Sequence, residues 1–199
     1  MPLHKIIHIN ENTTAYFWHI TEDVTSLFRA VSLRDTSLFR LEGMKSEEHQ
    51  KGFLAVRMLL QHLGYTDYDL TYDEAGKPHL NDGKHISISH SHEFSCICIS
   101  DELMGIDLEK LKEKTLKIAP RFMEVKHLEN LSTLEQIEKA TVIWGVKESI
   151  FKIKNEKGIS FPEHIFEAEF DLKEGKCEAE LHFNNQIENF QIHFYNVEA

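Results

Sequence analysis

"KSEEHQKGFLAVRMLLQHLGYTDYDLTYDEAGKPHL", residues 45–80, holds a helix and the first strands that follow it. Phe53, Val56, Leu59, Leu60 and Leu63 recur at helical spacing, and the pattern stops at Gly64, a natural C-cap residue. The passage after it, residues 65–80, reads as strand, Gly-Lys turn, strand. The same order returns further on. "STLEQIEKATVIWGVKESIFKIKNEKG" (132–158) predicts a second long helix, capped by Ser132 or Thr133 with Glu135 in reach for a capping box, stopping near Gly158. "ISFPEHIFEAEFDLKEGKCEAEL" (159–181) again reads as strand, Gly-Lys turn, strand. Each half then offers one more strand, "HISISHSHEFSCICIS" (85–100) and "NFQIHFYNVEA" (189–199). The repeat predicts an α+β fold of two similar halves, 1–104 and 105–199, each a helix packed on an antiparallel sheet. A crevice between such halves can draw groups from both.

The 199 residues, 41% apolar and 10% aromatic, suffice for a real core. No run approaches a membrane span, and the start "MPLHKIIHIN" has neither the basic region nor the apolar run of a signal peptide, so the expected place is the cytoplasm. Three cysteines without CxxC spacing fit a reducing compartment; Cys96 and Cys98 alternate along one strand face as small core residues. A net charge of −11 opposes attraction to nucleic acid or anionic membrane. Against that balance, "KLKEKTLKIAPRF" (110–122) holds Lys110, Lys112, Lys114, Lys117 and Arg121 with only Glu113 opposing. It is either a solvated basic face or a dock for an acidic protein or phosphate.

Four short stretches carry chemistry-bearing residues. "GIDLEK" (105–110) sets Asp107 and Glu109 at i and i+2; in a strand both would face one way, about 7 Å apart. Paired oxygen ligands suit Mg²⁺ or Mn²⁺ shared with substrate phosphates, while an exposed strand end with alternate polar residues gives the same pattern. "WGVKESIFK" (144–152) puts Trp144, Glu148 and Lys152 along one helix face with Lys147 beside them. That is either a surface Glu-Lys pair or, if Trp144 and Phe151 bury part of the face, charges that need a specific partner such as a metal or phosphate. "SISHS" (87–91) places Ser89, His90 and Ser91 at a strand end, and His90 and His92 share a face with no third zinc ligand at an obvious spacing. "EAGKPHL" (74–80) supplies a turn at Gly76, then Lys77 as a point charge beside Pro78; an ordinary hairpin with an exposed lysine reads the same way.

The order of these stretches, "GKP", "SISHS", "GIDLE", "WGVKESIFK", resembles the phosphopantetheinyl transferases of the surfactin-synthetase-activating type, whose halves form a pseudo-dimer. The resemblance runs from about residue 46 to about 165, and the first 45 residues carry little of it. It implies Mg²⁺-dependent transfer of phosphopantetheine from coenzyme A to a serine of an acyl- or peptidyl-carrier protein, as in fatty acid biosynthesis, by a monomeric enzyme of the holo-[carrier-protein] synthase type. By motif, Asp107, Glu109 and Glu148 would hold the ion, and Lys77, Pro78, Ser89 and His90 would line the nucleotide, with His90 at the 3′-phosphate and Arg57 a further contact. Glu148 would take the serine proton and Lys152 would serve the departing phosphate, with Asp107 completing the catalytic set. Two departures stand out. "RFMEVKHLE" (121–129) has His127, flanked by Glu124 and Glu129, where relatives often carry glutamate, and the first helix has Lys51, Gly52 and Arg57 where many are richer in arginine. A metal-dependent phosphohydrolase using His90, His92, Asp107 and Glu109, or a non-catalytic carrier-protein binder, would be the rival readings.

Overall fold

The computed structural model describes residues 3–197. They fall into two compact units that divide between Leu108 and Glu109. Both units combine helices with antiparallel sheets, an α+β architecture. No described helix is long and apolar enough to cross a membrane.

The first unit contains β1 (Leu3–His8), β2 (Thr13–His19), α1 (Val24–Ala30), α2 (Asp35–Glu42), α3 (Glu47–His62), β3 (Leu70–Tyr72), β4 (Pro78–Leu80), β5 (His85–Ser91) and β6 (Phe94–Ser100). Ser46 caps α3, its hydroxyl accepting the His49 N–H, and Gly64 beyond the C-cap takes φ +85°. Phe53, Leu54, Val56, Leu59 and Leu60 of α3 are buried against residues of the sheet such as Trp18, Ile86 and Ile97.

The strands differ from the expected strand, turn, strand and one further strand in two ways. β3 and β4 form a separate two-stranded sheet, while the principal sheet runs β1-β2-β6-β5 and takes half its strands from the N-terminal hairpin. The passage 85–100, read as one strand, is a hairpin: Ser91 pairs with Phe94, and His92 turns the chain at φ +52°. A two-residue turn of this kind is normally announced by Asn-Gly or Asp-Gly, and His-Glu gives no such signal. The cysteines agree with expectation: Cys96, Cys98 and Cys177 are buried and free, and burial pushes the Cys98 thiol up to about 12.

The second unit contains α4 (Lys114–Ile118), α5 (Thr133–Lys154), α6 (Phe161–His164), β7 (Ile165–Glu167), β8 (Lys176–Phe183) and β9 (Gln186–His193), with short 3₁₀ turns at Ala119–Arg121, Val125–Leu128 and Leu172–Glu174. The predicted capping box is present: Ser132 and Glu135 bond each other's backbone N–H. The helix ends four residues before Gly158, at Lys154, because Asn155 adopts the left-handed conformation that closes the last turn. Ala140, Ile143, Val146 and Ile150 pack on Phe122, Ile165, Ala179 and Leu181. The last strand begins earlier than predicted, since Asn184 and Asn185, both at positive φ, make a tight hairpin from β8 into β9; residues 198–199 of the predicted strand lie outside the described residues.

Candidate active site

In the first unit, "GIDL" is not a ladder strand; residues 103–112 have no regular secondary structure. The segment is nonetheless drawn along β5, an edge strand of the sheet. The backbone N–H groups of Ile106 and Leu108 donate to Ser87 Oγ (3.0 Å) and Ser89 Oγ (3.2 Å), and the Ser89 hydroxyl donates to Asp107 Oδ1 at 3.0 Å. Serine hydroxyls thus replace the ladder and satisfy backbone donors that the missing strand leaves over. Ser89 is at once a support for the chain and an orienting donor to Asp107. Ser87, which the sequence reading passes over, supplies the other anchor.

His90 is exposed, next to Ser89 on β5. Its ring lies against Gly52 of α3 and stacks nearly parallel to His49, with centroids 5.8 Å apart and planes 9° apart. His92 is turned toward Glu48, its Nδ1 3.8 Å from Oε1. The two histidines that share a face on paper therefore meet different groups of the same helix N-terminal turn. Lys77 follows Gly76, which takes φ +84°. The turn is built by Asp73: its Oδ1 accepts the N–H of Ala75 and of Lys77, each at 2.9 Å, and its Oδ2 meets His79 Nε2 at 3.1 Å. The His79 bond, with those backbone donors, holds the Asp73 carboxyl below the usual carboxylate range. Asp73 was legible as an Asx-turn aspartate three residues before glycine, a stronger determinant of Lys77's backbone than Pro78, which opens β4.

Arg57, expected from the resemblance at the nucleotide, is 3% exposed and bonded to Asp67 at 3.0 Å, with its guanidinium carbon 3.5 Å from the Phe53 ring centroid. Its charge is occupied inside the unit's own core.

In the second unit, Trp144 of α5 is clasped edge-on by Phe122 and Phe161, with centroids at 5.1 and 5.5 Å, and donates from Nε1 to Glu109 Oε1 at 3.1 Å. Glu148 and Lys152 follow at one and two turns along the helix, both half-buried. Lys147 leaves this face, contrary to expectation. It is 2% exposed, lies 2.5 Å from Glu167 Oε2 and also donates to the Ile165 carbonyl. A 100° step per residue turns position 147 into the core while 148 stays outside. His127 joins this buried group, with Nε2 3.8 Å from Glu167 Oε1. The specific partner that a buried cation requires is here a carboxylate of the chain itself.

Lys110, Lys112, Lys114, Lys117 and Arg121 are all exposed, along with Leu111. Among the described residues, no three His, Cys, Asp or Glu side chains gather in an arrangement that would hold a metal by themselves. Magnesium does not require one: it is commonly held by one or two carboxylates, water and substrate phosphates, and Asp107 in the first unit and Glu109 and Glu148 in the second each offer oxygen donors of that kind.

Residues 103–197 match a family described as the 4′-phosphopantetheinyl transferase superfamily. Over 121 residues the chain is 32% identical to the 4′-phosphopantetheinyl transferase gsp of Aneurinibacillus migulanus, covering 58% of this chain and 51% of that protein. Over 124 residues it is 31% identical to the 4′-phosphopantetheinyl transferase Sfp of Bacillus subtilis (strain 168), covering 60% and 54%. The chain spans about half the length of the curated relatives it matches.

Proposed function

We propose that this chain, whose residues 103–197 match the 4′-phosphopantetheinyl transferase superfamily, transfers phosphopantetheine from coenzyme A to a serine of an acyl- or peptidyl-carrier protein with the help of Mg²⁺. The observation that carries the reading is the bond from Trp144 to Glu109. It fixes one carboxylate against the helix that also bears Glu148 and Lys152, and the aromatic clasp around the indole keeps that anchor in place. In the other unit, Ser89 orients Asp107 through its own hydroxyl.

Asp107, Glu109 and Glu148 would hold the ion. A bound Mg²⁺ supplies charge neutralisation on the pyrophosphate. The other roles belong to side chains. Lys77, Pro78, Ser89 and His90 receive the nucleotide, with His90 at the 3′-phosphate. Glu148 takes the proton from the attacking serine, and Lys152 offsets charge on the departing phosphate of 3′,5′-ADP. The attack forms a P–O bond to serine as the pyrophosphate P–O bond breaks, so positive charge is needed on the leaving side. The exposed basic segment 110–121, with Leu111 among its lysines, presents a landing surface for an acidic carrier despite the negative net charge.

The decisive experiment mixes an apo carrier protein, coenzyme A, Mg²⁺ and this protein, and follows the mass of the carrier. A gain of one phosphopantetheine supports the reading; hydrolysis of coenzyme A with an unmodified carrier would favour the phosphohydrolase instead. Asp107→Ala should abolish the gain while leaving thermal stability in metal-free buffer nearly intact. Lys152→Ala should lower kcat by about two to four orders of magnitude with a smaller change in coenzyme A affinity. Replacing Lys112, Lys114 and Lys117 by glutamate should raise KM for the carrier and spare KM for coenzyme A.

A further inference from the structure

Gly52 stands in the middle of α3, at a position where glycine costs a helix about 1 kcal/mol relative to alanine. The surroundings explain it. A Cβ at residue 52 would lie 2.4 Å from His90 Cδ2, 3.0 Å from Cγ and 3.3 Å from Cβ, so the imidazole occupies the space that any other residue would need. The Gly52 carbonyl accepts the Ser95 hydroxyl at 3.2 Å, and Ser95 is the cross-strand partner of His90. One turn of α3 therefore seats both strands of the β5–β6 hairpin. The exposed His49, three residues before Gly52 on the same helix, sets its ring nearly parallel to that of His90, with centroids 5.8 Å apart.

The geometry points to Gly52 and His49 as positioning residues for His90: a notch and a stacking wall that hold one imidazole ready for a phosphate monoester. The inference rests on the reading of His90 as the 3′-phosphate contact, and deepens it. An exposed histidine samples several rotamers, and fixing it before the ligand arrives removes part of the ordering cost of binding. The consequence is selective. Losing the seat should weaken ligands that carry the 3′-phosphate and leave those without it alone.

The test measures Kd by calorimetry for coenzyme A and for 3′-dephospho-coenzyme A, with NMR of the His90 ring alongside. His90→Ala should reduce the preference for coenzyme A about tenfold or more, the loss expected for one charge-assisted hydrogen bond. Gly52→Ala should shift the His90 ring resonances and reduce the preference to a similar extent. His49→Ala should reduce it less, and His49→Phe, which restores a stacking face, should recover it. In the His90→Ala background, Gly52→Ala should change neither Kd, because the ring it displaces is gone. Three results would overturn the proposal: a Gly52→Ala protein with unchanged preference; a loss of preference of equal size with and without His90; or a Gly52→Ala/His90→Ala double variant that fails to fold, which would make Gly52 a requirement of helix packing. If His90→Ala alone leaves the preference intact while Gly52→Ala still moves the ring, the seat exists but the phosphate reading of His90 fails, and the functional inference falls with it.

Discussion

Each unit buries one cation of its long helix on a carboxylate from the segment that follows, and the two do so with different chemistry. In the first, Arg57 of α3 bonds Asp67 at 3.0 Å, donates to the Phe53 carbonyl at 3.3 Å and lies over the Phe53 ring, while Asp67 Oδ2 also accepts the Arg34 N–H at 3.0 Å. In the second, Lys147 of α5 meets Glu167 and the Ile165 carbonyl, with His127 on the far side of the carboxylate. A guanidinium spreads its charge over several fixed donors, whereas an ammonium is a compact, strongly hydrated charge that responds to burial by releasing its proton more readily. The lesson is that the two pairs tie their helices down with different sensitivity to what surrounds them.

Breaking either pair from one side is the harshest test. Arg57→Met and Lys147→Met should each cost about 3–5 kcal/mol in urea denaturation, because a carboxylate remains buried alone. Equal, small losses of under about 1 kcal/mol would show that water reaches both sites. Replacing both partners separates the units. Lys147→Met/Glu167→Leu should regain most of the loss, as apolar isosteres of buried pairs often do. Arg57→Met/Asp67→Leu should remain about 1–3 kcal/mol short, since the Arg34 N–H loses its acceptor.

The helix caps sharpen the contrast at lower energy. Ser132→Ala removes two bonds of the hydroxyl, from the Glu135 N–H at 3.4 Å and to its carboxylate at 2.6 Å, and should cost about 1 kcal/mol, whereas Ser46→Ala, which removes a single bond at 3.4 Å, should cost about 0.5 kcal/mol in thermal or urea unfolding. The smallest effect concerns pH. Burial pulls Lys147 below its ordinary 10.5, and the hydrogen bond to Glu167 opposes this only in part. Below 10.5 the unfolded chain then holds more protons at this site than the folded one, so the site's contribution to stability rises as pH approaches 10.5. The stability difference between the wild type and Lys147→Met/Glu167→Leu should therefore move in favour of the wild type with increasing pH. A flat difference would mean that Glu167 holds the proton on Lys147 throughout.

The sequence by itself determined the two helices, the α+β class and the chemistry-bearing stretches, because these are written in short periods and caps: Ser132 with Glu135, the apolar rows of α3 and α5, Gly64 after the first helix. It also displayed Asp107 with Glu109, and Glu148 with Lys152, as two pairs, since each spacing is local, while only the family resemblance joins one pair to the other. Tertiary structure decided the rest. Nothing near residue 52 says that a histidine thirty-eight positions later will need the missing Cβ, and nothing near Arg57 or Lys147 separates a ligand contact from a buried pair. The splitting of residues 85–100 into a hairpin, and the recruitment of β1 and β2 to complete its sheet, likewise depend on pairing between Thr13–His19 and Phe94–Ser100. Such contacts lie far apart in the chain, and only a packed core, where each buried polar group must find a partner and each side chain a space, chooses among the partners that local pattern leaves open.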